Sequence, residues 1–142
     1  MDERIAIWNI LRGGKISAVS EEGDILTVLV SIPYIRRRLN PLGDSFILTL
    51  TGVRRAEYRG FCGSGPACAI REGVESEIVQ TTSRVMPITI ETMSDTTLGQ
   101  IVLDFQSIRF ALDARQVSDY QTIQKVYEEY WEENWKNETF RG

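Results

Sequence analysis

Two cysteines, Cys62 and Cys68, stand in one glycine-rich stretch that begins Gly60-Phe-Cys-Gly-Ser-Gly-Pro66. A phosphatase-type thiolate wants an arginine six residues downstream to hold the phosphate, and Cys68 itself occupies that position. Redox dithiols favour two intervening residues rather than five. A structural zinc site wants four Cys or His ligands, and this chain of 142 residues contains no histidine. The same absence removes Ser-His-Asp and Cys-His catalysis, HExxH zinc chemistry and the imidazole pH switch. A disulfide would close only a small ring with limited stabilisation, so both thiols are expected to be free. No metal or cofactor is implied.

The spacing of Gly60 and Gly65 matches the two glycines of a phosphate-binding loop, in which backbone amides and a following lysine surround the phosphates. Here Pro66 stands where the lysine should be, and proline removes an amide donor. Gly13-Gly14-Lys15 has the lysine without the preceding loop. Both glycine stretches are therefore read as connections. Asp104 and Asp113 offer a carboxylate pair that, set on neighbouring strands, would serve as acid and base for a hydrolytic reaction. Arg36, Arg37 and Arg38, followed by Arg54, Arg55 and Arg59, give residues 1–60 nine basic and seven acidic side chains. This run is a candidate ligand-binding set. Nucleic-acid binding through counterion release needs a strongly basic face, which a pI near 4.9 does not suggest.

The most informative chemistry lies near the C-terminus. Residues 119–138 hold six acidic and two basic side chains, so this segment accounts for the whole net charge of −4. Tyr127, Tyr130, Trp131 and Trp135 run among Glu128, Glu129, Glu132 and Glu133. Tyrosine and tryptophan concentrate at protein interfaces, and carboxylates around them would steer a basic partner. Glu128, Glu129, Trp131, Glu132, Glu133 and Trp135 are therefore the candidate contact residues, with homodimerisation through the same aromatics as another use.

The elements that must position these groups follow from periodicity. Ile5, Ile7, Trp8, Ile10 and Leu11 predict a short amphipathic helix over residues 3–11, stopped by Gly13-Gly14. Lys15–Ser20 and Ile25–Ile32, with turn chemistry at Glu22-Gly-Asp24, read as a hairpin that Pro33 ends. The polar stretch 34–44 is read as a connection with one helical turn through the arginines. Ser45–Thr51 is a strand continued over Val53–Tyr58, with Gly52 a candidate bulge. After a loop over residues 59–73, runs at 75–80, 86–93, 100–105 and 108–114 read as an antiparallel meander. Ser118-Asp-Tyr-Gln121 has capping-box form, with the serine as cap. Beyond it Tyr120, Ile123, Tyr127, Tyr130 and Trp131 recur at helical spacing, predicting roughly twenty helical residues.

Length and ordinary globular composition, 42% hydrophobic and 25% charged, point to a single domain over residues 1–142. The expected class is α+β: a mainly antiparallel, curved sheet of about six or seven strands, a short N-terminal helix, and a long C-terminal amphipathic helix packed on the sheet. No apolar run reaches the roughly 20 residues that span a bilayer, and the N-terminus lacks the pattern of a signal peptide. The expected location is cytoplasmic, without membrane association.

The segments Ile10-Leu-Arg-Gly-Gly-Lys-Ile16, Ile32-Pro-Tyr-Ile-Arg-Arg-Arg38 and Gly43-Asp-Ser-Phe46 resemble a group of small uncharacterised bacterial proteins, some of toxin-immunity type. The resemblance covers about the first third of the chain and its tail, and implies a helix, a curved sheet and a closing acidic helix. Its motifs are turns around strands, so it assigns no catalytic or binding residue. The expected function is a non-enzymatic protein-binding module, in its sharpest form an immunity protein. Lysine in place of Glu132 and Glu133 should then slow association. The alternative is a small-ligand binder or minor hydrolytic enzyme with a cavity between sheet and helix.

Overall fold

A computed structural model describes residues 2–39, 43–60, 65–95, 97–113 and 117–141, excluding the side chains at 33, 34, 37, 117 and 134–141. Helix α1 spans Glu3–Ile10. Asp2 caps it, its carboxylate accepting the Arg4 amide at 3.0 Å, and so satisfies one of the donors that a helix N-terminus leaves open. The helix buries Ile5, Ile7, Trp8 and Ile10. Among the described residues ten strands form one sheet: β1 Lys15–Glu22, β2 Ile25–Ser31, β3 Ser45–Thr51, β4 Arg55–Arg59, β5 Cys68–Ala69, β6 Glu77–Thr81, β7 Ile88–Met93, β8 Leu98–Asp104, β9 Ser107–Leu112 and β10 Val117–Ser118. Helix α2 spans Pro33–Leu39 and α3 spans Tyr120–Arg141.

The hydrogen-bonded order is β10-β9-β3-β2-β1-β6-β7-β8-β4-β5, with antiparallel pairing throughout. The expected α+β class and antiparallel sheet are therefore present, but the strands outnumber the six or seven expected. Two reasons account for this. The stretch 45–58 divides into β3 and β4 at a bend, and the two-residue strands β5 and β10 are too short to carry a periodic pattern.

Alternation becomes packing through the register. Leu26, Leu50 and Ile108 form one cross-strand row, Val28, Leu48 and Phe110 the next, and Val30, Phe46 and Leu112 the third. All nine side chains are buried. Facing pairs of this kind are the unit of sheet stabilisation. In the other half, Leu103 pairs with Ile88 on one side and Ala56 on the other, and Ile101 with Ile90 and Tyr58, continuing the same core.

The two halves meet at two seams. At one, Lys15 pairs with Glu77, and the Gly13 and Ile78 amides donate across the junction at 2.8 Å to Ile78 and Gly14. At the other, β3 runs into β4 and β8 into β9. The ladder persists there, Arg54 N–H donating to Asp104 O and Gln106 N–H to Thr51 O at 2.8 and 2.9 Å. Gly52 makes this bend at φ +66°, a conformation costly to a residue with Cβ. The sheet wraps around its core, although its ends, β10 and β5, do not pair with each other.

Helix α2 is longer than the single turn expected, for a local reason: Pro33 sits at its first position, where no amide is needed. The cap of α3 is Asp119 rather than Ser118. Its carboxylate accepts the Thr122 amide at 2.8 Å, while Ser118 belongs to β10. The helix touches the sheet at its start, where Tyr120 lies 6.5 Å from Phe110 between ring centroids. It then runs beside α1 and α2. No described helix is long and apolar enough to cross a membrane.

Candidate functional site

Along α3 burial fades in steps. Ile123 is fully buried and Tyr120 nearly so, Tyr127 and Tyr130 are half-buried, and Trp131 is 48% exposed. The helical stripe that looked uniform in sequence is thus core at one end and surface at the other. Trp131 is held in a cluster, edge-on to Tyr130 at 5.3 Å and to Tyr127 at 6.3 Å. Such edge-to-face pairs fix ring orientation without covering the outer indole face. Glu128, Glu129, Glu132 and Glu133 are exposed around it. Trp135 lies outside the residues whose side chains are described.

The arginine run divides by role. Arg38 donates to Glu133 at 2.6 Å, and its guanidinium lies 5.2 Å from the Tyr130 ring centre, so it ties α2 to α3. Arg36 is wholly buried. It donates to the Ser45 carbonyl at 2.9 Å and to the Asp113 carboxylate. Asp113 also accepts the Asp44 and Ser45 amides at 3.1 and 3.2 Å. Burial by itself would raise the Asp113 carboxyl; these amides and the guanidinium outweigh it and hold the group below its ordinary value. Arg36 is therefore part of the fold, joining α2 to β3 and the end of β9. The side chain of Arg37 is outside the description.

Gly43 closes this cluster at φ +103°, with the Asp113 carboxylate where a Cβ would stand. Gly43→Ala is expected to lower stability by more than about 1 kcal/mol, combining the backbone strain with the collision. Thermal unfolding measures this, and an unchanged Tm would contradict it.

Asp104 and Asp113 are not brought together. The six residues of β9 lie between them, which at about 3.3 Å per residue separates them by roughly 20 Å. They also serve different arginines: Asp113 is bonded to Arg36, whereas Asp104 lies in the field of Arg4 and Arg55. Shared acid–base work by this pair has no geometric basis. Within the stretch expected as a loop, Cys68 lies in the short strand β5, exposed and free, its thiol donating to the Pro66 carbonyl at 3.5 Å. Cys62 and the centre of the loop, residues 61–64, lie outside the described residues.

One hollow was not foreseen. A groove of about 550 Å³ opens between α1, α3 and the connection from β6 to β7, not between the sheet and α3. Ile5, Ala6, Ile10, Tyr120 and Tyr127 give it an apolar floor. Its rim includes Arg84, which in sequence stands only in a turn-like Thr-Ser-Arg stretch. Nothing local signals that α1 and α3 lie together, because their meeting depends on how both pack over the sheet.

Fold and surfaces together define an α+β protein with an acidic-aromatic helix and an adjoining interhelical groove. Comparison with protein-family models, curated proteins and solved structures gives no match to this chain.

Proposed function

We propose that this chain is a non-enzymatic protein-binding module of the bacterial cytoplasm, and that the outer face of α3 captures a basic protein. Its sharpest form is an immunity protein that neutralises a basic toxin. The observation that carries the reading is Trp131: a large indole 48% exposed, backed by two tyrosines and surrounded by exposed glutamates. Exposed aromatic anchors supply binding energy disproportionate to their number, and the surrounding charge accelerates encounter with an oppositely charged partner. Glu128, Glu129, Glu132 and Glu133 provide that field, with Trp135 further along the same segment.

The test is capture from lysate of the native host, followed by association kinetics with the purified partner at several salt concentrations. A basic partner is expected, with an association rate that falls as salt rises. The double change Glu129→Lys and Glu132→Lys should slow association by about tenfold at low salt. Trp131→Ala should cost about 2 kcal/mol of affinity, expressed mainly in dissociation. A partner insensitive to these changes, or a stable dimer of this chain formed through Trp131, would count against the reading.

A further inference from the structure

The groove between α1 and α3 carries polar groups that the fold leaves uncommitted, and these specify a ligand. Several rim groups are already engaged. Asp2 is bonded to Arg4, Asn9 exchanges bonds with the Thr81 backbone, and the Ser83 hydroxyl accepts the Thr89 amide. Arg84 makes no ion pair and no side-chain hydrogen bond among the described residues, although it lines the hollow. Tyr120 is 8% exposed, and among the described residues its hydroxyl has no hydrogen-bond partner. Solvent reaches this hydroxyl at the groove, so a ligand group can take the place of the water that serves it. Glu128 supplies the opposite charge at the rim, engaged only by Gln124 at 3.3 Å among the described residues.

We infer that this groove is a binding site for a zwitterionic apolar ligand, an apolar α-amino acid or a dipeptide built from such residues. Arg84 receives the carboxylate, Glu128 receives the ammonium, and the Tyr120 hydroxyl bonds to either the carboxylate or a peptide group. Ile5, Ala6 and Ile10 receive the side chain. The balance of signs at the rim is what selects the class. A dianion would meet Glu128 without compensation, and a simple amine would leave Arg84 unanswered. The volume, about 550 Å³, falls within the range of small-molecule sites. This site adjoins the partner-binding face and shares Tyr127 and Glu128 with it, but it does not use Trp131, on which that reading rests.

Calorimetric titration of the whole protein with L-phenylalanine, L-leucine and the dipeptide Leu-Phe tests the inference, with 3-phenylpropionate and phenethylamine as single-charge controls. Saturable binding is expected for at least one zwitterion, with each control at least about tenfold weaker, since each forfeits one charge-assisted contact. Arg84→Gln should weaken the zwitterion by about tenfold or more, and Tyr120→Phe by about fivefold. Ala6→Leu, which fills the floor, should abolish binding while circular dichroism stays unchanged. Trp131→Ala should leave it intact, so failure here and failure of the protein-binding reading are separable. No saturable binding by any zwitterion, equal binding of phenethylamine and phenylalanine, or an Arg84→Gln variant that binds normally would each overturn the assignment.

Discussion

Asp113→Ala is expected to destabilise the protein by about 3–5 kcal/mol, because it removes a carboxylate partner from a guanidinium with no contact with solvent. An exposed ion pair contributes little when broken, since water solvates the survivor. Arg36 has no such recourse at 0% exposure. The reverse change should cost less. In Arg36→Met the orphaned carboxylate is 25% exposed and retains the Asp44 and Ser45 amides. The two single variants thus form an ordered pair, measured by urea unfolding at neutral pH. If Arg36→Met costs as much as or more than Asp113→Ala, solvent access does not set the balance.

The same carboxylate should appear in the pH dependence. Its folded value lies below its ordinary one, so the unfolded chain takes up protons first as pH falls. The stabilisation is fully present above the unfolded carboxyl value, about 3.9, and is lost as pH falls through the lower folded value. Wild-type stability should therefore drop more between pH 5 and the acid limit than that of Asp113→Asn, which has no such group to titrate.

The second large effect is expected at Trp8. Trp8→Ala should cost about 3–5 kcal/mol, from the lost transfer of an indole and the cavity left behind. Trp8 is 1% exposed in the contiguous core, and its indole N–H donates to the Arg4 carbonyl at 2.9 Å. It is the largest fully buried side chain among the described residues and belongs to an eight-residue helix. A helix that short is marginal in isolation and persists through its tertiary contacts. Trp8→Phe should keep most of the packing and lose about 1 kcal/mol for the missing donor. Loosening α1 also removes one wall of the groove, so Trp8→Ala should weaken any ligand held there while Trp8→Phe preserves it. Equal stability of wild type and Trp8→Ala would show that α1 is not anchored by this residue.

These expectations divide along the line between local pattern and assembly. The alternation of Leu26, Val28 and Val30, of Phe46, Leu48 and Leu50, and of Ile108, Phe110 and Leu112 already specified strands with one buried face. The α+β class and the helices at both ends were legible for the same reason, since periods of 2 and 3.6 are properties of the chain itself. The concentration of acid and aromatic residues in one helix was equally visible in composition. Capping was nearly legible: the Ser118-Asp119 pair announced a helix start, and only backbone geometry chose the aspartate.

What only the tertiary structure decided depends on pairing over long separations. Arg36, Arg37 and Arg38 look alike in sequence, yet about half a turn of α2 separates Arg36, in the interior against Asp113, from Arg38, on the surface against Glu133. Asp104 and Asp113 look like neighbours until β9 separates them along its length. The aromatic stripe of α3 has a regular period, but which rings are covered depends on where α1, α2 and the sheet stop beneath it. Side-chain type and local spacing determine what an element is and which face is apolar; burial and partnership are set by the surfaces it meets. The −4 charge was readable from residue types alone, whereas the exposed Trp131 at its centre and the uncommitted Arg84 beside it exist only because the chain folds as it does.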